Sequence, residues 1–485
     1  MSEREVDVVV IGAGPAGENA AGRLAEGGLE VAIGERELLG GECSYWACMP
    51  SKALLRPAQA LAEARRVHGA REAVGGELDV GAALERRDEI IHELDDSGQL
   101  PWLEERGVAL LRAEGRLEGE RRVRAGDELL TARRAVVLAS GTTAALPPIE
   151  GLEAARPWTN REATTAKAAP ERLVVLGGGV VGVELAQAWA SLGSKVVLVQ
   201  AMDTLIEREE PFAGEQVEAG LRDVGVDVRT GARATSVRRE EGGDATAPVG
   251  SAPGDEGRYA PVARDDAPAS GDVVVELEDG DSVRGDELLI AVGRAPRVDG
   301  LGLDTVGLSA DGPLAVDERM RVGDLGWLYA VGDVNGRAPL THMGKYQARI
   351  AADQILGKGT TAAQWDGPLA PRVIFTEPQV AAVGHTLDSA REAGVDVRAV
   401  DYPTDGVAGS SFHGRGGPGT ARMVVDEQRG VLVGATFTGP DVAELLHAAS
   451  IAVVGEVPLE RLRHAVPAFP TRSEVWLRLL EAYGL

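Results

Sequence analysis

In VDVVVI, residues 6–11, the chain is apolar but for Asp7, and the run ends at the glycine-containing stretch 12–17. A short apolar run bounded by turn residues fits a strand buried on both faces. Residues 14–26 then carry alanine and leucine at helical spacing, and residues 30–33 return to strand. The opening of the chain therefore predicts a βαβ unit. The same succession recurs some 165 residues on, with LVVL at 173–176, an apolar helix over 180–192 and KVVLV at 195–199. Two such units predict an α/β protein with two parallel-sheet nucleotide-binding domains, one interrupting or following the other.

The pattern shifts twice more. Residues 242–271 are rich in Gly, Pro, Ala, Ser and Asp without any period and read as an excursion inside the second unit. From about Gln364 short alternating strands and amphipathic helices run to Leu485, which suits a third, α+β domain. The expected division is 1–155, 156–288, 289–363 returning to the first domain, and 364–485.

Each βαβ unit carries a glycine loop where strand meets helix. The first is Gly12-Ala13-Gly14-Pro15-Ala16-Gly17, with Glu35 about 20 residues on. Glycines at this spacing permit a tight turn and a close approach of pyrophosphate, and a carboxylate at the second strand end accepts from ribose hydroxyls, as in Rossmann-like domains. The second is Gly177-Gly178-Gly179-Val180-Val181-Gly182, whose acidic position is Gln200. A neutral amide can hydrogen-bond a hydroxyl, no Arg adjoins it for a 2′-phosphate, and Glu207 and Glu209 are expected to repel one. These features favour NADH over NADPH by a small margin.

Charge narrows the partners. Asp and Glu number 76 against 50 Lys and Arg, a net −26, which argues against a nucleic-acid or membrane-surface partner. With no apolar run of membrane length and no signal-peptide profile at the start, a cytoplasmic protein is expected. The two cysteines, Cys43 and Cys48, lie together in GGECSYWACMPSK, just ahead of Lys52, one of five lysines at 52, 167, 195, 345 and 358. A crosslink closing so short a loop removes little chain entropy, and two thiolates without further His or Cys would leave Zn²⁺ under-coordinated. A redox pair is the sharper reading.

Two nucleotide folds around a CxxxxC ahead of lysine resemble the pyridine nucleotide-disulfide oxidoreductases, the family of lipoamide dehydrogenase, glutathione reductase and mercuric reductase. The resemblance extends to Ala139-Ser140-Gly141, to Val292-Gly293-Arg294-Ala295-Pro296, to Tyr329-Ala330-Val331-Gly332-Asp333 and to Phe375-Thr376-Glu377-Pro378 with Gly384. It implies an FAD-dependent enzyme using NAD(P)H, a homodimer joined through its C-terminal domain, and a small-molecule electron acceptor. By the same resemblance Gly40 and Gly41 pass close to the flavin, and Asp333 holds its ribityl chain. Cys48 is the charge-transfer thiol, Cys43 the outer interchange thiol, and Lys52 pairs with Glu184.

One departure bears on the acceptor. Where the family's disulfide reductases carry His-Pro-Thr followed by Glu, this chain reads Ala468-Phe469-Pro470-Thr471-Arg472-Ser473-Glu474. Phe469 stands where the acid–base histidine would be, while its orienting partner Glu474 is retained. A quinone, a dye or a metal ion, none of which needs that proton transfer, is the expected acceptor. Mercuric reductases also lack the histidine but use an extra C-terminal cysteine pair, which is absent here. A true disulfide reductase using His464 or another base, and a non-catalytic redox-sensing flavoprotein, remain the alternatives.

Overall fold

The computed structural model describes residues 2–240, 271–358, 366–367, 369–414 and 417–485. The excursion expected at 242–271 lies outside them but for Gly271, as does the boundary expected at Gln364.

The first sheet is built around the strand Ser2–Ile11, which pairs in parallel with Val31–Gly34 on one side and with Glu128–Leu138 on the other. The helix Pro15–Glu26 crosses between the first two strands, and Gly14 is its N-cap. Val8 and Val10 are buried on one face of the sheet and Val9 and Ile11 on the other, which explains the unbroken apolar run 8–11. The strand Leu328–Ala330 closes this sheet by pairing in parallel with Val136, Val137 and Leu138, so a segment from beyond the second unit completes the first.

Between them lies a parallel sheet of four strands: Asp227–Arg229, Lys195–Val199, Arg172–Leu176 and Glu287–Ile290. Its crossing helix, Val180–Ser191, is apolar nearly all round and buries Leu185, Ala186, Ala188 and Trp189 against Leu54, Leu55 and the sheet. An antiparallel sheet of five strands follows, ordered Arg372–Ile374, Gln379–Gly384, Val431–Gly439, Thr420–Asp426, Val397–Pro403. The final helix, Glu474–Tyr483, packs its Val475, Trp476 and Leu479 onto that sheet. No helix among the described residues is long and apolar enough to cross a membrane.

Candidate active site

The glycine loops act through close approach. A Cβ on Gly17 would stand 1.9 Å from Gly12 O, and one on Gly182 would stand 1.8 Å from Gly177 O, so in each loop the turn folds onto the helix that follows only without a side chain. A Cβ on Gly14 or Gly179, by contrast, would meet nothing within 4 Å. The first loop opens onto a cleft of about 1040 Å³ that is also lined by Pro15, Ala16, Glu35, Gly41, Cys43, Ser140, Gly141, Gly332 and Asp333. Ten of the residues singled out in the sequence thus share a single cleft with Cys43. Gly177, Gly179, Gly182, Gln200 and Gly293 belong to the second unit or its exit.

Of two carboxylates in the cleft, Glu35 is buried and Asp333 partly buried. Glu35 Oε2 accepts from Ala13 N at 2.7 Å and Oε1 accepts from Glu37 N at 2.7 Å; burial pushes its pKa up while these two N–H groups hold it back. Asp333 accepts from Thr142 Oγ1 at 3.0 Å, and burial likewise raises its pKa. The open space beside Gly14, the helix N-terminus behind it and a carboxylate at the second strand end suit a dinucleotide with its pyrophosphate at the loop, so the residues present fit FAD.

Gln200 occupies in the second unit the place of Glu35 in the first. Its Oε1 accepts from Gly178 N at 3.0 Å and its Nε2 donates to Thr204 O at 3.3 Å. Glu209 corrects the charge reading of this loop. It is buried and paired with Arg372 at 2.6 Å, so its charge is spent within the protein, whereas Glu207 is exposed.

Both cysteines are free thiols, partly buried, and hydrogen-bonded to one another. Cys43 ends the bond as the proton carrier: the bond to Cys48 and burial push its pKa up. The same bond draws Cys48 below the usual thiol range against the cost of burial, with further help from Thr341 and Lys52. Cys48 opens the helix Cys48–Arg66, and its Sγ lies 3.3 Å from Thr341 Oγ1 at the start of the helix Thr341–Ile355. Lys52, one turn along, reaches Glu184 Oε2 at 2.6 Å and lies 4.9 Å over the Phe375 ring, while Glu184 Oε1 accepts from Phe375 N at 2.8 Å.

The C-terminal residues lie elsewhere in this chain. Phe469 is 76% exposed, Glu474 is buried with one carboxylate oxygen unpartnered, and His464 is exposed. Sequence reasoning missed Thr341, 293 residues from its cysteine, for which no local signal exists. It also missed Glu18, whose pKa burial raises to about 7 while Lys345 opposes the rise. It missed Arg161 as well, which lines the cleft from the helix Asn160–Thr165; the one readable trace was the capping pattern Thr159-x-x-Glu162 that starts that helix.

Residues 6–348 match the pyridine nucleotide-disulphide oxidoreductases and residues 370–479 match the dimerisation domain of the same family. The chain belongs to this family, whose members are FAD-dependent enzymes working with a pyridine nucleotide. It is 31% identical to the dihydrolipoyl dehydrogenase of Chlorobaculum tepidum, over 97% of this chain and 95% of that protein. It is also 31% identical to the mercuric reductase of Shigella flexneri, over 98% of this chain and 80% of that one. In fold it is similar to the Cu(II) complex of the HOCl-induced flavoprotein disulfide reductase RclA from Escherichia coli, with a TM-score of 0.81 at 24% identity over 98% and 99% of the two chains.

Proposed function

We propose that this chain is a cytoplasmic, homodimeric NAD(P)H oxidoreductase that passes electrons through Cys43 and Cys48 to an acceptor needing no imidazole: a quinone, a dye or a metal ion. Gly12, Gly14, Pro15, Ala16, Gly17, Glu35, Gly41, Ser140, Gly141, Gly332 and Asp333 would hold FAD. Gly177, Gly179, Gly182, Gln200 and Gly293 would receive the nicotinamide dinucleotide, with NADH preferred by a small margin. When bound, FAD supplies two-electron transfer between nicotinamide and dithiol.

The chain's own groups set the rest. Cys48 is held toward the thiolate by Cys43, Thr341 and Lys52, and Cys43, which lines the cleft, keeps its proton. Lys52 holds a positive charge next to that thiolate, and Glu184 fixes where it stands. The observation that carries the acceptor reading is the exposed aromatic ring of Phe469, which by the resemblance of its motif would stand in place of the family's acid–base group. An exposed aromatic ring in the dimerisation domain supports a flat apolar acceptor there. The likeness to dihydrolipoyl dehydrogenases favours a second reading, disulfide reduction with another proton donor. Anaerobic steady-state assays over quinones, metal ions, lipoamide and glutathione disulfide separate the two. Fast quinone or metal turnover with slow disulfide turnover supports the first reading, and the reverse order overturns it.

A further inference from the structure

The short helix Asn160–Thr165, on the path into the second nucleotide unit, puts three of its side chains onto the stretch that carries the cysteines. Asn160 Nδ2 donates to Trp46 O at 2.8 Å and to Glu42 Oε2 at 2.9 Å, and Thr164 Oγ1 donates to Trp46 O at 3.1 Å. Arg161 does more. Its Nε donates to Glu42 Oε1 at 2.6 Å, Nη1 and Nη2 donate to Glu37 at 3.1 and 2.7 Å, and the guanidinium lies 4.1 Å over the Trp46 ring. Glu42 directly precedes Cys43, and Trp46 stands between the two thiols, so this one side chain grips the redox stretch on both sides of Cys43. A planar guanidinium suits that task because it bonds two carboxylates in its plane and stacks through its face.

We propose that Arg161 is the positioning residue of the cysteine pair. Through Glu42 and Trp46 it holds Cys43 near Cys48, and so favours closure to the disulfide and keeps Cys43 placed to hydrogen-bond Cys48 in the reduced pair. This rests on the reading of the two cysteines as a redox pair. Closure forms the Sγ–Sγ bond and gives up two electrons and two protons, which glutathione disulfide takes up to become two glutathione thiols. Holding the sulfurs near each other raises their effective concentration, whereas a loosened turn leaves the dithiol harder to close.

The test uses the full-length holoprotein as wild type, R161K and Trp46→Leu. R161K keeps the charge but loses the planar fork; Trp46→Leu keeps every charge but loses the ring. Two quantities are read by alkylation and mass spectrometry: the glutathione ratio at which half the pair is oxidised, and the pH dependence of Cys48 alkylation. FAD content is measured alongside. The expected result is full FAD content, with the half-oxidation ratio of R161K shifted tenfold or more toward oxidising buffer, about 30 mV. Cys48 alkylation at pH 7 should be at least threefold slower in R161K, and Trp46→Leu should show a smaller shift in the same direction. A wild type whose pair never closes reversibly overturns the redox reading, and this inference with it. If the wild type closes but R161K matches it, or only Trp46→Leu shifts, the role given to Arg161 is wrong while the redox reading stands. Loss of FAD from R161K would assign the guanidinium to the cofactor and overturn positioning.

Discussion

Lys52 Nζ and Glu184 Oε2 stand 2.6 Å apart across 132 residues of chain, joining the helix that begins at Cys48 to the helix that begins at the second glycine loop. Glu184 is 3% exposed, so without Lys52 its carboxylate would keep, among the described residues, the Phe375 N–H as its one hydrogen-bond donor. Lys52→Met should therefore cost about 1–3 kcal/mol, below the usual figure for a buried pair because the lysine is one-third exposed. Urea denaturation reads this directly. Glu184→Gln, which retains an acceptor for Phe375 N–H, should cost less; equal losses would mean that charge is not what matters there.

The thiols should be distinguishable by rate. Cys48 is held below the ordinary thiol pKa of about 8.5 and Cys43 above it, so brief iodoacetamide treatment of the reduced protein at pH 7 should label Cys48 first. The bond between them supports both shifts, so Cys43→Ser should alter the labelling of Cys48 much more than its distance from bulk solvent would suggest. In the holoprotein, Cys43→Ser should show long-wavelength absorbance without reduction and Cys48→Ser should lack it. Its persistence in Cys48→Ser would reverse the assignment of the two sulfurs.

Phe469→His tests the acceptor proposal by placing an imidazole five residues ahead of Glu474. Acid–base assistance is worth about 10²–10⁴-fold in a step that moves a proton, so lipoamide or glutathione disulfide turnover should rise, while quinone turnover stays within a few-fold. A wild type turning over lipoamide at more than roughly 100 per second, in the upper part of the usual kcat range, would show that another group already supplies the proton.

For the nicotinamide, kcat/KM with NADH should exceed that with NADPH by less than tenfold, because Gln200 is neutral and already tied to Gly178 and Thr204. Gln200→Glu should widen the gap. A preference of tenfold or more for NADPH points instead to Arg208.

Glu18 makes stability depend on pH. Burial raises its pKa to about 7 from an ordinary 4.5, so the folded chain holds a proton there that the unfolded chain releases earlier. That contribution is fully present below pH 4.5 and is lost as pH rises through 7. Above this the buried carboxylate opposes folding by about 1–3 kcal/mol. Glu18→Gln should raise Tm at pH 8.5 and change it little at pH 5; an equal change at both pH values would assign the effect to packing.

The βαβ units and their glycine loops were legible because each is a local pattern, a run of one type bounded by a turn. The pairing of Lys52 with Glu184 was legible only through resemblance, since nothing within 132 residues announces it. Glu209 shows where a local reading fails: it was given a role in the loop beside it, but its charge is claimed by Arg372 from the last sheet. Thr341 and Arg161 failed for the same reason, as each meets the cysteines only after distant segments are brought together.

The pairing of Leu328–Ala330 with Val136, Val137 and Leu138 also sets an order of events during synthesis. Some 190 residues separate Leu138 from Leu328, an interval of roughly 10–40 s at ordinary elongation rates. A first sheet that forms within that time does so with Val136, Val137 and Leu138 unpaired on one side, an apolar edge of the kind to which other chains add. The whole second unit must emerge meanwhile. Early folding of that unit while still tethered to the ribosome would keep the unfinished sheet from competing for its strands.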